Sequence, residues 1–276
     1  MFNRLCNMQS IRTLFNVLRS EAMNLASRIA PRLIREVVVP NKIGKANTVQ
    51  IWLTTCIVSN FDIGGSSTSR VLVNPGNPGL TGCSNFTYFP RGGPVPSEPI
   101  ESTVHRDWQP LGYVSSWGGM EVGNGMMYPV SVVDGLVHQM SGWRLQAELK
   151  MRRMVKTDLC PVGDAVRTTA GDLPVYDSII HTTPPFYKHD SSPKHKLGHC
   201  YQSALDCTAS GELVAIPLLG AGCRGFPNDV ACQVASSTVI RWLAGSDQVQ
   251  ETTVAFCLID PQVADNMVAA LELALP

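Results

Sequence analysis

The chain has 276 residues, 44% of them hydrophobic, with 22 basic and 22 acidic side chains and a formal net charge of zero. That is ample apolar material for one sizeable core with extensions. The balanced charge argues against a nucleic-acid partner held by bulk electrostatics, and no stretch is long and apolar enough to cross a membrane.

Nine cysteines, an odd number with no C-x-x-C pair, fit reduced thiols in a cell interior better than a disulfide framework. Residues 1–36 carry Arg4, Arg12, Arg19, Arg28, Arg32 and Arg35 against only Glu21 and Glu36. Ile11, Leu14, Leu18, Leu25 and Ile29 fall near helical spacing there. The segment reads as a basic N-terminal extension, either an organellar transit peptide or a helix docked on the domain. The first reading places the protein in mitochondria or plastids, the second in cytoplasm or nucleus. No continuous apolar core of a secretory signal is present, which argues against export.

Residues 37–276 form the main domain. Thr48–Leu53 reads as a strand, with Cys56–Val58 as a second candidate. Val71-Leu72-Val73 leads into Asn74-Pro75-Gly76-Asn77. Residues 82–130 are dense in Gly, Pro and aromatics, which predicts a long loop or inserted lobe that is packed rather than disordered. From Ser131 to Leu149 the apolar residues recur at helical steps, with a break near Gly142. Strands follow at Ser178–His181, Leu213–Leu218 and Thr253–Ile259. Helices run through Tyr201 and Leu205, from Asn228 to Leu243 after Pro227, and through Val263 to Leu271. The alternation is α/β.

Three of these strands are short runs that are apolar on both faces, as buried parallel strands are, and each ends in a polar or glycine-rich loop. Ligands of open α/β sheets sit just beyond such carboxyl ends. In Gly220-Ala221-Gly222-Cys223-Arg224-Gly225-Phe226 the glycines allow close approach of backbone to an anion at the next helix start; a plain tight turn is the simpler alternative. Asn74 and Asn77 offer donors and an acceptor for sugar hydroxyls and a water, or serve only their turn. Asp134 begins a helix, where a cap is the first reading and catalysis the second. His195, His199, Cys200 and Cys207 invite zinc, but no further ligand arrives at a recognised spacing.

Taken in order, these segments resemble the macrodomain family, which binds ADP-ribose, and within it the MacroD-like hydrolase class. Val71 through Asn77 looks like the family's strand ending in V-N-A-A-N. Val133-Asp134-Gly135-Leu136-Val137-His138 looks like its G-V-D-x-A-I-H helix start. Gly163 through Thr168 and Ile179-Ile180-His181-Thr182-Thr183-Pro184 are similar to its G-x-A-x-x-T and I-I-H-x-x-P pair, and Ala215 through Pro227 resembles its glycine loop. Asp62-Ile63 stands where the family places its adenine-reading Asp.

The resemblance implies a three-layer α/β/α fold with a mixed central sheet and a long insertion. It implies ligand contacts from Asp62, Ile63, Asn74, Gly135 and the loop Gly220, Ala221, Gly222, Cys223, Arg224, Gly225 and Phe226. Asp62 would accept from the adenine amino group, and the loop amides would wrap the diphosphate. Asn77 would hold the distal ribose while Asp134 orients a water or a ribose hydroxyl. The implied reaction is hydrolysis of mono-ADP-ribosyl esters on proteins, or deacetylation of O-acetyl-ADP-ribose, with neither metal nor cofactor. The implied partner is ADP-ribose or an ADP-ribosylated protein. A reader without turnover, or an interaction module with a degenerate pocket, is the alternative.

The chain departs from the family pattern in four places, one being Gly220-Ala221, which stands for the usual Ser-Thr and loses two hydroxyl donors. Asn77 and Asp134 are 134 − 77 = 57 positions apart, the interval being filled by the inserted lobe. Ser131 and Val132 replace glycines. Arg224 stands where an aromatic would cover the distal ribose, a charged group suited to phosphate.

Overall fold

A computed structural model describes residues 30–61, 69–82, 89–90, 113–114, 120–122, 126–127 and 132–275. The main sheet has strand order β1-β2-β11-β10-β3-β9-β8. Its members are β1 (Arg32–Pro40), β2 (Ala46–Leu53), β3 (Arg70–Pro75), β8 (Ala165–Thr169), β9 (Ser178–Thr182), β10 (Leu213–Ile216) and β11 (Thr253–Leu258). Strands β2, β11, β10, β3 and β9 run parallel. The two edges, β1 and β8, are antiparallel to their neighbours.

Alternation along the inner strands builds two cores. Val71, Val73, Ile180, Val214, Ile216, Val254 and Phe256 pack on one face with α3 (Pro193–Asp206), α4 (Asn228–Gly245) and α5 (Pro261–Ala274). Leu72, Ile179, Leu213, Ala215, Ala255 and Cys257 pack on the other with α1 (Val133–Met140) and α2 (Gly142–Val155). The strands are apolar on both faces because both faces are covered. The result is the expected three-layer α/β/α arrangement with a mixed sheet.

The helix starts follow local chemistry. Pro193 and Pro261 occupy first-turn positions, where a missing N–H costs nothing. Asp260 caps α5 by accepting from the Gln262 amide at 2.8 Å. Among the described residues no helix is long and apolar enough to cross a membrane.

Several elements differ from expectation. β1 begins at Arg32, so the sheet takes in residues 32–36 of the basic segment; residues 1–29 lie outside the described residues. Arg32 and Arg35 face outward from this edge strand, with Arg35 Nη2 3.2 Å from Glu272 Oε1. Cys56–Val58 is a turn rather than a strand, closed by the Asn60 amide on Cys56 O at 3.0 Å. Its Ile57 and Val58 are buried in the second core without joining the ladder. Within residues 82–130 the short strands β4 (Phe89–Pro90), β5 (Tyr113–Val114), β6 (Met120–Val122) and β7 (Met126–Met127) pair in the order β4-β7-β6-β5, a small antiparallel sheet apart from the main one.

Candidate functional site

β3 and β10 are neighbours with Val71 opposite Val214 and Leu72 opposite Ala215. The loops that follow them therefore emerge side by side at the carboxyl edge of the sheet. Continuing the alternation of β3, Asn74 falls on the α1 side, as Leu72 does. There its carboxamide meets Asp134, the second residue of α1. Asn74 Nδ2 donates to Asp134 Oδ1 at 2.8 Å, and both side chains are buried. A carboxylate out of water needs such donors to stay charged at bearable cost. His138, one turn further along α1, brings Nε2 to 3.4 Å from the same oxygen, an ion-pair distance without hydrogen-bond geometry.

The Asn74 amide also reaches sideways along the sheet. Asn74 and His181 are register partners on β3 and β9. Asn74 Nδ2 and His181 Nδ1 are 3.0 Å apart, and His181 Nε2 lies 3.0 Å from Thr168 Oγ1 on β8. His181 is fully buried, and that burial lowers its pKa to about 3; the neighbouring Asp134 works against the shift without cancelling it. The ring is therefore neutral, with one of its nitrogens bearing a proton. A polar row, Thr168–His181–Asn74–Asp134, thus crosses three strands under α1. Sequence reading singled out Asn74 and Asp134 but gave no role to His181 or Thr168. The available signal was a histidine directly after the apolar pair Ile179-Ile180, in a strand that is buried at every position.

Asn77 does not join this row. Its Nδ2 donates to Gly82 O at 3.1 Å, while its Oδ1 accepts from the Thr81 amide and hydroxyl at 3.2 and 3.1 Å. These bonds make a compact turn. Gly82 in turn presses on the His138 ring so closely that a Cβ there would stand 2.8 Å from Cγ. The Asn77 turn thus abuts the Asp134–His138 face of α1, while its carboxamide serves its own loop.

The loop after β10 is self-closed at its far end. The Phe226 amide donates to Gly220 O and the Gly225 amide to Gly222 O, each at 3.1 Å. Of the loop amides that the resemblance implied would wrap a diphosphate, those of Gly225 and Phe226 bond within the loop. Phe226 is core, its ring 4.9 Å from that of Tyr187, and Ala221 is buried too. Gly222 borders open space, with nothing within 4 Å of where its Cβ would be.

Arg224 takes an unexpected path. It is buried, with its guanidinium carbon 4.2 Å above the Phe186 ring and Nη2 donating to Gly76 O at 3.1 Å. Gly76 itself sits beside Asn74 and Asp134; a Cβ there would come within 3.8 Å of both polar groups. Arg224 therefore ties the glycine loop to the asparagine loop. Gly135 follows Asp134 in the first turn of α1, half-buried. Asp62 and Ile63 lie outside the described residues. His195 and His199 have rings 5.8 Å apart on α3, whereas Cys200 is buried and donates to Thr183 O. Among the described residues no group of three or more His, Cys, Asp or Glu side chains could hold a metal.

A family model described as "Macro domain" matches residues 123–235, a span that begins just before α1 and ends in α4. An O-acetyl-ADP-ribose deacetylase of Cronobacter turicensis is 36% identical over 123 residues, 43% of this chain and 68% of that protein. The chain belongs to the macro domain family. A macro domain-containing protein of Listeria monocytogenes is 40% identical over 113 residues, 40% of this chain, and the match spans 63% of that relative's length. An Oceanobacillus iheyensis macrodomain variant superposes with a TM-score of 0.58 at 19% identity, covering 88% of this chain and 94% of that one, which shows the shared fold. The asparagine loop precedes the matched segment, separated from it by the insertion.

Proposed function

We propose that this macro domain binds ADP-ribose at the carboxyl edge of its sheet and hydrolyses mono-ADP-ribosyl esters or O-acetyl-ADP-ribose. The observation that carries the reading is the buried Asp134 carboxylate. It is held by Asn74 at 2.8 Å and set beside a glycine loop that Arg224 ties to the asparagine loop. The name of the Cronobacter relative points the same way.

In this reading the open face of Gly222 admits the diphosphate, and dipoles near the start of α4 favour its charge. Asp134 orients an attacking water, or a ribose hydroxyl, as hydrogen-bond acceptor. Water adds across the ester and releases free ADP-ribose and a carboxylic acid. Positioning in a pre-set polar environment supplies most of the rate effect.

The test is release of ADP-ribose from an ester-linked, mono-ADP-ribosylated acceptor by the wild-type chain and by Asp134→Ala. Hydrolysis by the first and not the second supports the reading. One observation favours a second reading, a binder without turnover: the Asn77 carboxamide is bonded into its own turn. Micromolar ADP-ribose binding by calorimetry with no product would select that reading.

A further inference from the structure

We propose that Thr168 is a positioning residue for this site: its hydroxyl locks His181 as the Nε2–H tautomer, and that tautomer aims the Asn74 carboxamide nitrogen at Asp134. The inference rests on reading Asp134 as the carboxylate that acts on substrate.

Thr168 Oγ1 lies 3.1 Å from the Thr169 carbonyl and 3.0 Å from His181 Nε2, so it can give its one hydrogen to the carbonyl while accepting from an Nε2–H. The Asn74 nitrogen decides between the tautomers: it donates to Asp134 and cannot accept, so the imidazole proton sits on Nε2. Nδ1 is left with a lone pair, and the group facing it at 3.0 Å must be the NH2 side of Asn74. That same nitrogen donates its other hydrogen to Asp134 at 2.8 Å.

The opposite amide orientation would set a carboxamide oxygen against a carboxylate oxygen at that distance. In the observed one, Asn74 Oδ1 is buried with no partner among the described residues. Nothing on the oxygen side holds the amide, so its direction is set by His181 and Asp134 alone. Thr168, 5% exposed on the edge strand, thereby acts on Asp134 through two intervening side chains.

Thr168→Val keeps the shape and removes the acceptor. The imidazole proton then moves to Nδ1, where it meets the Asn74 amino group, and the Asn74 bond to Asp134 is weakened. Three readouts test this: nitrogen chemical shifts of His181 in labelled protein, the kcat and KM of ester hydrolysis, and ADP-ribose affinity. The expected wild-type tautomer is Nε2–H. In Thr168→Val the proton shifts to Nδ1 and kcat falls about tenfold, the size of one lost hydrogen bond to a charged group. KM and ADP-ribose affinity stay within about twofold, and Thr168→Ser restores both tautomer and rate.

His181→Asn supplies a second route if the valine variant folds poorly. It keeps an acceptor at the Nδ1 position, has no tautomer to lose, and makes the rate insensitive to Thr168→Val in the double variant. An Nδ1–H imidazole in the wild type overturns the proposal, as does full kcat in Thr168→Val. The nitrogen shifts are read without turnover. A chain that hydrolyses nothing would therefore overturn the proposed function, while the tautomer was still decided on its own.

Discussion

Asn74 Nδ2 donates to Asp134 Oδ1 at 2.8 Å across 60 positions of chain, so the inserted lobe leaves the end of β3 and the start of α1 in contact. This bond organises the site, and its loss leaves a buried carboxylate short of a donor. Asn74→Ala should lower unfolding free energy by roughly 1.5–3 kcal/mol, as for a hydrogen bond to a charged group. Urea titration of both proteins measures it, and an unchanged midpoint would contradict the role given to the bond.

Two glycines of one loop should behave in opposite ways. Gly220 has φ +81°, and a Cβ there would stand 2.8 Å from the Phe226 ring. Gly220→Ala should cost about 1–3 kcal/mol of stability from left-handed backbone and overpacking together. Gly222 has open space, so Gly222→Glu should fold with a near-normal melting temperature and lose ADP-ribose binding, because its carboxylate fills and repels the diphosphate position. A thermal-shift titration with ADP-ribose reads both, since a ligand that binds the folded state raises apparent stability. Retained binding by Gly222→Glu would remove the ligand from this loop.

Arg224 is a strut rather than a lid. Replacing it with Ala should reduce ADP-ribose affinity about tenfold by loosening the glycine loop from Gly76, with a stability loss of about 1–3 kcal/mol for the buried carbonyl left without its donor. Arg224→Lys should not rescue it. An ammonium cannot both stack on Phe186 and present a planar donor to Gly76 O. Calorimetry on the two variants settles the point, and wild-type affinity in either contradicts the strut.

The inner architecture was legible in the sequence because the strands of β3, β9 and β10 are covered on both faces. Val71-Leu72-Val73, Ile179-Ile180 and Val214-Ala215-Ile216 carry apolar side chains at every position, which no half-exposed strand does. The edges were not. β1 is exposed at most positions, with only Ile34 and Val37 half-buried and Val39 buried, and it carries Arg32 and Arg35, so its composition looked like the basic segment before it. β8 is short and polar, and Arg167 on it reaches back to Glu212 at 2.6 Å rather than marking a core.

For the site, Asn74 and Asp134 stood out through the resemblance to the family's motifs, since residue type alone reads as a turn and a cap. The contact between them depended on β3–α1 packing across the insertion, which no local pattern encodes. Arg224 was readable as a substitution at a ligand position. Its engagement with Phe186 and Gly76 came only from the fold.

His181 sets an acid limit on stability. Burial lowers its pKa from 6.5 to about 3 in the folded protein, so between those values the unfolded chain binds a proton that the folded chain does not. Stability therefore falls as pH drops through that window, by up to roughly 1.4 kcal/mol per pH unit from this residue. His181→Asn removes the titrating group and should flatten the dependence. Urea midpoints at pH 7, 6 and 5 for the two proteins give the comparison, and parallel slopes would show that His181 takes up its proton alike in the folded and unfolded chains.

The most direct trial of the account is single-turnover hydrolysis of an ester-linked ADP-ribosyl acceptor, run beside ADP-ribose calorimetry on the same preparations of wild type and Asp134→Asn. The account predicts near-equal ADP-ribose affinity in the two proteins and at least a hundredfold slower release by the variant, the scale of one lost acid–base or orienting group. Equal release rates would contradict it.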